Sequence, residues 1–314
     1  MLTITNSSKD PFYNLALEEY IFNNYTEDDI FFMWQDEPSV IVGSYQNILR
    51  EVSVLDLEKQ HIPILRRMTG GGTVYHDNGN INYTYITTQA GMIDYADCVK
   101  PVIDGLNALG IPAHQNRTCD IAINGEKISG SAQRMVRKRL LHHGTLLFSS
   151  DLDRLFTITM KDKNDNIQSK GTLSAICPVT NIIEYLPKPL SIEDFQENLQ
   201  NQILGTGATE ITLNENDQAE IRKLRDKYMS WEWIWQKTPP FTYQKSGTFC
   251  NAPIAVRYSA KKGILYDVEI HSQHINFQQA ADLFEQSKLD LSLLREKCHL
   301  LTSKNGDELL TFFT

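Results

Sequence analysis

The chain has 314 residues, of which 41% are hydrophobic and 22% charged, and its formal net charge is -9. These values are typical of a chain that is folded throughout, either as one large domain with a small appendage or as two domains. The acidic balance argues against general nucleic-acid binding and against binding to a membrane surface.

The N-terminal residues 1–22 lack a basic segment leading into an apolar one, and no apolar run approaches the roughly 18 residues needed to span a bilayer. Five scattered cysteines without CxxC spacing favour reduced thiols over a zinc site or a disulfide framework. We therefore expect a cytoplasmic protein that has no membrane partner.

The first predicted elements are a helix and two strands. Asp10-Pro11 is typical of a helix N-terminus, and an amphipathic run follows it. IFFMWQ and SVIVGSYQN then predict strands on either side of residues 36–38. Apolar residues at three- and four-residue spacing predict a further helix that ends at Gly110, and Ser191 begins another.

The C-terminal part has a different pattern. A charged helix through residues 221–228 leads into SWEWIWQKTPPFTY, where the tryptophans alternate at period two and Pro239-Pro240 stops regular structure. Beyond residue 245, two predicted strands flank residues 261–263, and Asn276 begins a helix. We therefore divide the chain into a larger domain, residues 1–244, and a small α+β module, residues 245–314.

The stretch RRMTGGGTVYHDNGNINY, residues 66–83, contains the first Asn-Gly pair. Between two period-two runs, the pair at 78 and 79 predicts a hairpin with a type I′ turn. One face of that hairpin would carry Thr73, Tyr75, Asn82 and Thr84. His76 would lie on the other, mostly apolar face, where a buried structural histidine is expected rather than a catalyst.

Three consecutive glycines, Gly70, Gly71 and Gly72, follow Arg66 and Arg67. Consecutive glycines expose peptide N–H groups and allow the conformations of an anion-binding nest, to which the arginines would add positive charge. A flexible loop is the ordinary alternative. The spacing matches neither the P-loop nor the Rossmann motif.

A second Asn-Gly pair, at residues 124 and 125 of CDIAINGEKISGSA, predicts another hairpin. One face of it would carry Asp120, Ala122, Lys127 and Ser129. Its small side chains leave room beside Gly130 for one ammonium and one carboxylate. Lys127 is therefore either a ligand contact or an ordinary solvent-facing lysine near a turn.

Three stretches resemble, in this order and spacing, the lipoate-protein ligase family of the biotin/lipoate ligase superfamily: RRMTGGGTVYHDNGNINY, DIAINGEKISGSAQ and HHGTLLFSSDL. The resemblance runs from YNLALEEYIF to SWEWIWQKTPPF, and more weakly into the C-terminal module. It implies an α+β fold, with a class II synthetase or biotin/lipoate ligase-like catalytic domain and a small α+β accessory domain. The catalytic domain of such proteins has a mixed, largely antiparallel sheet with flanking helices.

The resemblance implies that the chain is an enzyme that activates lipoate with ATP and Mg²⁺ to lipoyl-AMP. The lipoyl group would then pass to a lysine of an acceptor, either a lipoyl domain of an E2 subunit or the glycine-cleavage H protein. By motif match, Lys127 is the catalytic lysine that contacts both the acyl carboxyl and the adenylate phosphate. A fixed ammonium suits this reaction because carboxylate attack on a phosphate brings two anions together.

The implied nucleotide-binding positions begin with the motif matches Arg67, Gly72, Thr73, Val74 and Tyr75. To these we add the residues that the predicted turn and strand faces place beside them: Gly70, Gly71, Asn82, Asp120, Ser129 and Gly130.

Several roles remain open within this resemblance. Asp120 either orients the Lys127 ammonium or holds Mg²⁺. His143, with Thr145 on the same strand face, either lines the acyl pocket or has a structural role. The basic run 134–139 is predicted as a mobile loop that closes over the adenylate, meets an acidic acceptor or is simply solvated.

The sequence departs from the family pattern at Ser44, Cys119 and Pro178, where the family commonly has Arg or Lys, Asn, and Arg. An ATP-independent lipoyl or octanoyl transferase is the alternative enzyme, with Cys119 and Cys177 as available thiols. A non-catalytic protein that binds lipoyl domains is a further alternative, against which the retained Lys127 and the three glycines argue.

Overall fold

The structure, a computed structural model, describes residues 1–88, 94–159, 166–175, 177–273 and 277–314. Its strands are β1 (Leu2–Thr3), β2 (Ile30–Trp34), β3 (Ser39–Val42), β4 (Ile64–Arg66), β5 (Val74–His76), β6 (Asn80–Thr88), β7 (His114–Gln115), β8 (Asp120–Ile123), β9 (Glu126–Val136), β10 (Arg139–Leu147), β11 (Asn166–Ser169), β12 (Thr209–Glu210), β13 (Phe241–Phe249), β14 (Ala252–Lys261) and β15 (Ile264–Ser272). Its helices are α1 (Pro11–Asn24), α2 (Ile48–Glu51), α3 (Val54–Lys59), α4 (Tyr95–Ala108), α5 (Leu152–Thr159), α6 (Ile192–Leu204), α7 (Glu215–Met229), α8 (Trp231–Ile234), α9 (Phe277–Phe284), α10 (Leu291–Leu301) and α11 (Gly306–Leu310).

The largest sheet within these ranges has eight strands in the order β12-β1-β2-β6-β10-β9-β8-β7. β1 pairs in parallel with β12 and β2, whereas the other pairs are antiparallel. Both faces of β2 are buried: Phe32 and Trp34 pack on the side of α1 and α7, and Phe31 and Met33 on the side of α4 and α6. The predicted mixed, largely antiparallel sheet with flanking helices is confirmed.

The predicted helix ends are also confirmed. Asp10 caps α1, with its carboxylate accepting hydrogen bonds from the N–H groups of Phe12 and Tyr13. Ser191 caps α6 by accepting from the N–H of Asp194, and Gly110, at φ +84°, follows α4. None of the helices in the described part of the chain combines the length and apolar character that crossing a membrane requires.

The prediction of a hairpin with its turn at residues 78 and 79 is wrong. β5 pairs with β3 in a small sheet of order β4-β3-β5, whereas β6 pairs with β2 and β10 in the large sheet. Neither Asn78 nor Gly79 has positive φ, and the Asp77 carboxylate accepts the N–H of Gly79 at 2.9 Å. A side chain at residue 79 would meet the Ser149 backbone at 2.2 Å, so this glycine permits close packing instead of a type I′ turn.

The C-terminal sheet has the order β11-β13-β14-β15, and its pairs are antiparallel. β14 and β15 are the two predicted strands, whereas β13 escaped prediction, and Trp231–Ile234 forms a helical turn. The predicted domain boundary, between residues 244 and 245, falls inside β13. We propose that the module instead begins with β13, directly after the two prolines. Asn276 lies outside the described residues.

Candidate active site

A cavity of about 360 Å³ lies on the α1 side of the large sheet. Its floor crosses the strands in one row: Trp34 opposes Asn82, Asn82 opposes Thr145, and the N–H of Gly130 donates to the Thr145 hydroxyl at 3.3 Å. Neighbouring strands are about 4.8 Å apart, so the floor extends about 14 Å from β2 to β9. The cavity is therefore long enough for an extended small molecule.

The two ends of the cavity differ in chemistry. Leu15, Trp34, Ile41 and Val74 belong to one apolar cluster and line the end at β2. Lys127, Asp120 and Gly130 line the end at β8 and β9. This arrangement suits a ligand with an apolar tail and an anionic head.

The hairpin that carries Lys127 forms as predicted at its turn. Asn124 and Gly125 have φ of +51° and +86°, as a type I′ turn requires, and Ala122 opposes Lys127. A bulge then shifts the register by one residue, so that Gly130, not Ser129, opposes Asp120. Ser129 is consequently buried and lies outside the cavity wall, which corrects its predicted placement beside the ligand.

The bulge brings the lysine and the aspartate together. The Lys127 Nζ lies 2.8 Å from the Asp120 Oδ1, and Asp120 is buried. The backbone N–H of Lys127 donates to the Pro178 carbonyl at 2.9 Å, and the carbonyl of Lys127 accepts from the N–H of Thr180 at 3.1 Å. Lys127 is thus held on both sides, in contrast to an ordinary lysine at an exposed turn.

Arg67 binds the glycine loop from within. Its guanidinium donates to the carbonyls of Gly70 and Gly72, each at 2.6 Å, and to the Ile41 carbonyl and the Thr69 hydroxyl, each at 3.0 Å. Burial lowers the pKa of Arg67 to about 10, which still leaves it cationic at neutral pH. Arg67 therefore shapes the loop while facing the cavity.

The outer side of the same loop is available to a ligand. Among the described residues, none accepts a hydrogen bond from the N–H groups of Gly70, Gly71 or Gly72. Gly71 has φ +85°, which glycine adopts without strain. The N–H of Thr73, in contrast, donates to the Ser174 hydroxyl at 2.8 Å.

Arg66 has a structural role. It is fully buried, donates to the carbonyls of Gly43, Gln46 and Ile234, and bonds the Thr238 hydroxyl. Its hydrogen bonds thus connect the loop before α2 to α8 and to the segment that follows α8.

The two histidines nearest the cavity are both held by buried carboxylates. His143 Nδ1 lies 2.8 Å from Glu18 Oε1, and its Nε2 lies 2.7 Å from the Thr69 hydroxyl. His76 Nδ1 lies 2.7 Å from Asp36 Oδ2, and burial raises the pKa of Asp36. His76 is buried, as expected, but it also reaches the cavity wall.

The cavity wall contains most of the predicted site residues: Arg67, Gly71, Gly72, Thr73, Val74, Asn82, Asp120, Lys127, Gly130, His143 and Thr145. Three predicted residues do not line it. Gly70 lies in the loop next to the exposed ring of Tyr45, Tyr75 is buried in the core cluster of β3, and Ser129 is buried in β9.

The prediction missed other wall residues, notably Leu15, Trp34, Ile41, Arg117, Ala132 and Ser174. Trp34 and Phe32 are two residues apart and therefore share a face of β2. This spacing was the sequence feature from which the position of Trp34 could have been predicted. The others come from distant segments, and no local pattern marks them.

The predicted mobile loop at 134–139 is instead the end of a hairpin. β9 continues to Val136 and β10 begins at Arg139, so only Arg137 and Lys138 form the turn, with Arg137 at φ +56°. Arg139 is buried and donates to the carbonyls of Thr26 and Asp28, at 3.2 and 3.0 Å.

Cys119 lines the cavity but is not activated. Its Sγ lies 3.6 Å from Asp120 Oδ1, and burial followed by the charge of Asp120 raises its pKa. The thiol is therefore protonated at neutral pH. In the ranges that the structure describes, no group of three or more His, Cys, Asp or Glu could hold a metal ion. A cation in the cavity would therefore also need oxygen atoms of a bound substrate as ligands.

Comparison with known proteins gives a consistent result. The family model of the lipoyl protein ligase A/B catalytic domain matches residues 10–204. Lipoate--protein ligase 1 of Staphylococcus aureus is 34% identical over 283 residues, which is 88% of this chain and 86% of that protein. Lipoate-protein ligase LplJ of Bacillus subtilis is 34% identical over 279 residues, covering 86% of this chain and 84% of that protein.

Solved structures of lipoate-protein ligases also resemble this chain. A putative lipoate protein ligase from T. acidophilum, with bound lipoic acid, has a TM-score of 0.63 and 25% identity, covering 74% of this chain and 98% of that chain. A lipoate-protein ligase A bound with ATP also has a TM-score of 0.63 and 25% identity, covering 74% of this chain and 97% of that chain.

Proposed function

The chain belongs to the lipoyl protein ligase A/B family, and from this premise we propose that it activates lipoate with ATP and transfers the lipoyl group to an acceptor lysine. One observation carries the proposal. A single cavity joins an apolar end at Trp34 to a fixed ammonium at Lys127 and to Gly71 and Gly72, whose N–H groups have no acceptor among the described residues.

The dimensions of the cavity fit the acid. An extended eight-carbon chain spans roughly 8 to 9 Å at about 1.2 Å per bond, and the cavity floor is about 14 Å long. With its ring against Leu15 and Trp34, lipoate would place its carboxylate at Lys127. Attack of that carboxylate on the α-phosphorus of ATP forms the acyl-phosphate bond and expels pyrophosphate.

Lys127 reduces the repulsion between the two anions in this step and stabilises the charge that develops on the phosphate oxygens. The glycine N–H groups would bind the same phosphate, as a nest does. Arg67 donates three hydrogen bonds to the loop and one to the Ile41 carbonyl of β3, and since a guanidinium has five N–H donors, one remains for the nucleotide.

Asp120 is the carboxylate in the cavity that suits Mg²⁺. Its Oδ1 binds Lys127, which leaves Oδ2 to hold the ion together with phosphate oxygens. Bound Mg²⁺ would neutralise phosphate charge. The role of Asp120 in orienting Lys127 does not depend on the ion.

In the second half-reaction, the neutral ε-amine of the acceptor lysine attacks the acyl carbonyl carbon, the acyl–phosphate bond breaks so that AMP leaves as an anion, and the nitrogen gives up one proton to solvent. Lys127 stabilises that leaving phosphate, so one residue serves both steps. We propose that the acceptor is a lipoyl domain of an E2 subunit or the glycine-cleavage H protein. A solved relative, the bi-partite ligase of Thermoplasma acidophilum, is described together with its E2 lipoyl domain.

A transferase acting through a cysteine is less well supported, because the thiol inside the cavity, Cys119, has a raised pKa. We also propose that residues 10–204 form most of the catalytic domain and that the protein works in the cytoplasm. Its use of ATP and its scattered cysteines support that location.

Lipoate-dependent ATP–pyrophosphate exchange tests the proposal. We expect exchange in the wild-type protein and its loss in Lys127→Ala. A folded wild-type protein that shows no exchange, yet moves a lipoyl group from one carrier protein to another, would establish the transferase instead.

A further inference from the structure

A chain of buried hydrogen bonds connects α1 to the glycine loop. Glu18 Oε1 lies 2.8 Å from His143 Nδ1, and His143 Nε2 lies 2.7 Å from the Thr69 Oγ1. Thr69 Oγ1 accepts a hydrogen bond from Arg67 Nε at 3.0 Å, and Arg67 Nη2 donates to the carbonyls of Gly70 and Gly72.

The charges along this chain are balanced. Glu18 is 1% exposed and Arg67 6% exposed, so each is a buried charge that needs compensation. His143 and Thr69 lie between them and join the two by hydrogen bonds. Because the Thr69 oxygen accepts from Arg67, its own proton can point to His143 Nε2, and His143 then donates from Nδ1 to Glu18.

Glu18 does not line the cavity. Its influence on a ligand therefore passes through the residues that it holds. On the loop side, the position of Arg67 sets the distance between the carbonyls of Gly70 and Gly72, and with it the direction of the intervening N–H groups.

We propose that Glu18 is a positioning residue for the phosphate-binding loop, acting through His143, Thr69 and Arg67. The loop presents its N–H groups because Arg67 is held at both of its ends, by the glycine carbonyls and by Thr69. This inference rests on the proposed function, since it takes the loop to be the site of the ATP phosphates.

Thr69→Val is the sharpest test, because it keeps the shape of the side chain and breaks the chain of hydrogen bonds between His143 and Arg67. We expect the KM for ATP in the exchange reaction to rise roughly 10- to 100-fold, as misplaced binding groups typically produce. Lipoate binding without ATP, measured by calorimetry, should change less than about threefold, since Glu18 and His143 remain in place.

Two substitutions at Glu18 complete the test. Glu18→Ala should raise the KM for ATP as Thr69→Val does, whereas Glu18→Gln keeps an oxygen that accepts from His143 and should restore most of the affinity. Glu19→Ala is the matched control, because Glu19 is the next residue of α1 and pairs with Lys227 at 2.6 Å, away from the loop. It should leave the KM for ATP unchanged.

The outcomes separate the inference from the proposed function. A lower melting temperature with unchanged KM for ATP, in either Thr69→Val or Glu18→Ala, would show a merely structural role and overturn the inference. If the wild-type protein binds ATP but shows no lipoate-dependent exchange, the proposed function fails, and ATP affinity of the same variants still tests Glu18. Should Glu18→Ala fail to fold, a normal KM for ATP in Thr69→Val overturns the inference, because the connection from Glu18 to Arg67 runs through the Thr69 hydroxyl.

Discussion

The ammonium of Lys127 lies 2.8 Å from Asp120 Oδ1, at the polar end of a cavity whose other end is apolar. The lysine side chain is 27% exposed and that of the aspartate 5%. A charge-assisted hydrogen bond in such a setting fixes the direction of the ammonium. The cation is thus in place before any anionic ligand arrives.

Lys127→Ala should therefore remove activity while leaving the fold intact. We expect lipoate-dependent ATP–pyrophosphate exchange to fall about 10²- to 10³-fold, the usual cost of losing a group that stabilises a developing oxyanion. Acyl transfer from synthetic lipoyl-AMP should fall as well, because the same ammonium faces the leaving phosphate. Lys138→Ala, at the exposed turn between β9 and β10, is the control and should retain full activity. Equal losses in both variants would contradict the assignment.

Asp120→Asn separates the two roles of the carboxylate. The amide oxygen still accepts a hydrogen bond from Lys127, but the negative charge that Mg²⁺ requires is gone. We expect the Mg²⁺ concentration at half-maximal exchange to rise about tenfold. A variant with slower turnover at an unchanged Mg²⁺ midpoint would show that Asp120 only orients Lys127.

The two Asn-Gly pairs show how far local sequence predicts this fold. At residues 124 and 125 the pair forms the expected turn, and the hairpin places Lys127 in the cavity. At 78 and 79 the same pair does not form this turn, because Ser149 packs against Gly79 and β5 pairs with β3. Turn preference is a local property, whereas the choice of partner strand depends on the packing of the whole chain.

The candidate site was predictable where one segment supplies it and not where several do. The glycine loop and Lys127 each come from a short motif. Glu18 and Thr69, in contrast, are connected through a histidine from a third element, 125 residues away from Glu18 along the chain. The bulge in β8 and β9 was also hidden, and it changed which residue faces Asp120.

Gly71→Ala should weaken nucleotide binding specifically. At φ +85° an alanine is strained, and its Cβ would lie 3.0 Å from Arg67 Nη2. We expect a loss of about 1 kcal/mol in stability together with a clear rise in the KM for ATP. The strain acts on a glycine of the proposed phosphate-binding loop.

Gly110→Ala provides a closely matched control. Gly110 has φ +84°, and its added Cβ would lie 3.0 Å from the ring of Pro187, but this residue follows α4 and does not line the cavity. Denaturant unfolding should show similar losses of stability for the two variants, with normal kinetics for Gly110→Ala. If both variants bind ATP normally, the glycine loop is not the phosphate site.

Cys119 should react slowly with alkylating reagents at neutral pH. Burial and the neighbouring Asp120 raise its pKa, so the thiolate fraction at pH 7 is smaller than that of a free cysteine. We expect iodoacetamide to modify Cys119 slowly at pH 7 and faster as the pH rises, measured on its peptide by mass spectrometry. Cys119→Ser should keep lipoyl transfer within a few-fold of the wild type. Loss of transfer in that variant, with exchange intact, would favour a covalent cysteine intermediate.

His142 gives the fold a dependence on pH that is separate from catalysis. It is fully buried, its Nδ1 accepts a hydrogen bond from Gln133 at 3.0 Å, and burial, with the nearby His143, lowers its pKa to about 3. In the unfolded chain the pKa is near 6.5. The neutral form is thus favoured by folding, so the stability from this group is complete above pH 6.5 and is lost as the pH falls toward 3. At pH 5 the loss is about 2 kcal/mol.

His142→Gln should therefore reduce the difference between the free energies of unfolding at pH 7 and pH 5 by about 2 kcal/mol. Urea unfolding at the two pH values measures this difference, and its result does not depend on the absolute stability of the variant. His114→Gln, at an exposed position of β7, is the control and should keep the wild-type difference. If His142→Gln also keeps it, the imidazole takes up its proton equally well in both states, and the burial of residue 142 between β6 and β9 does not exclude the charge.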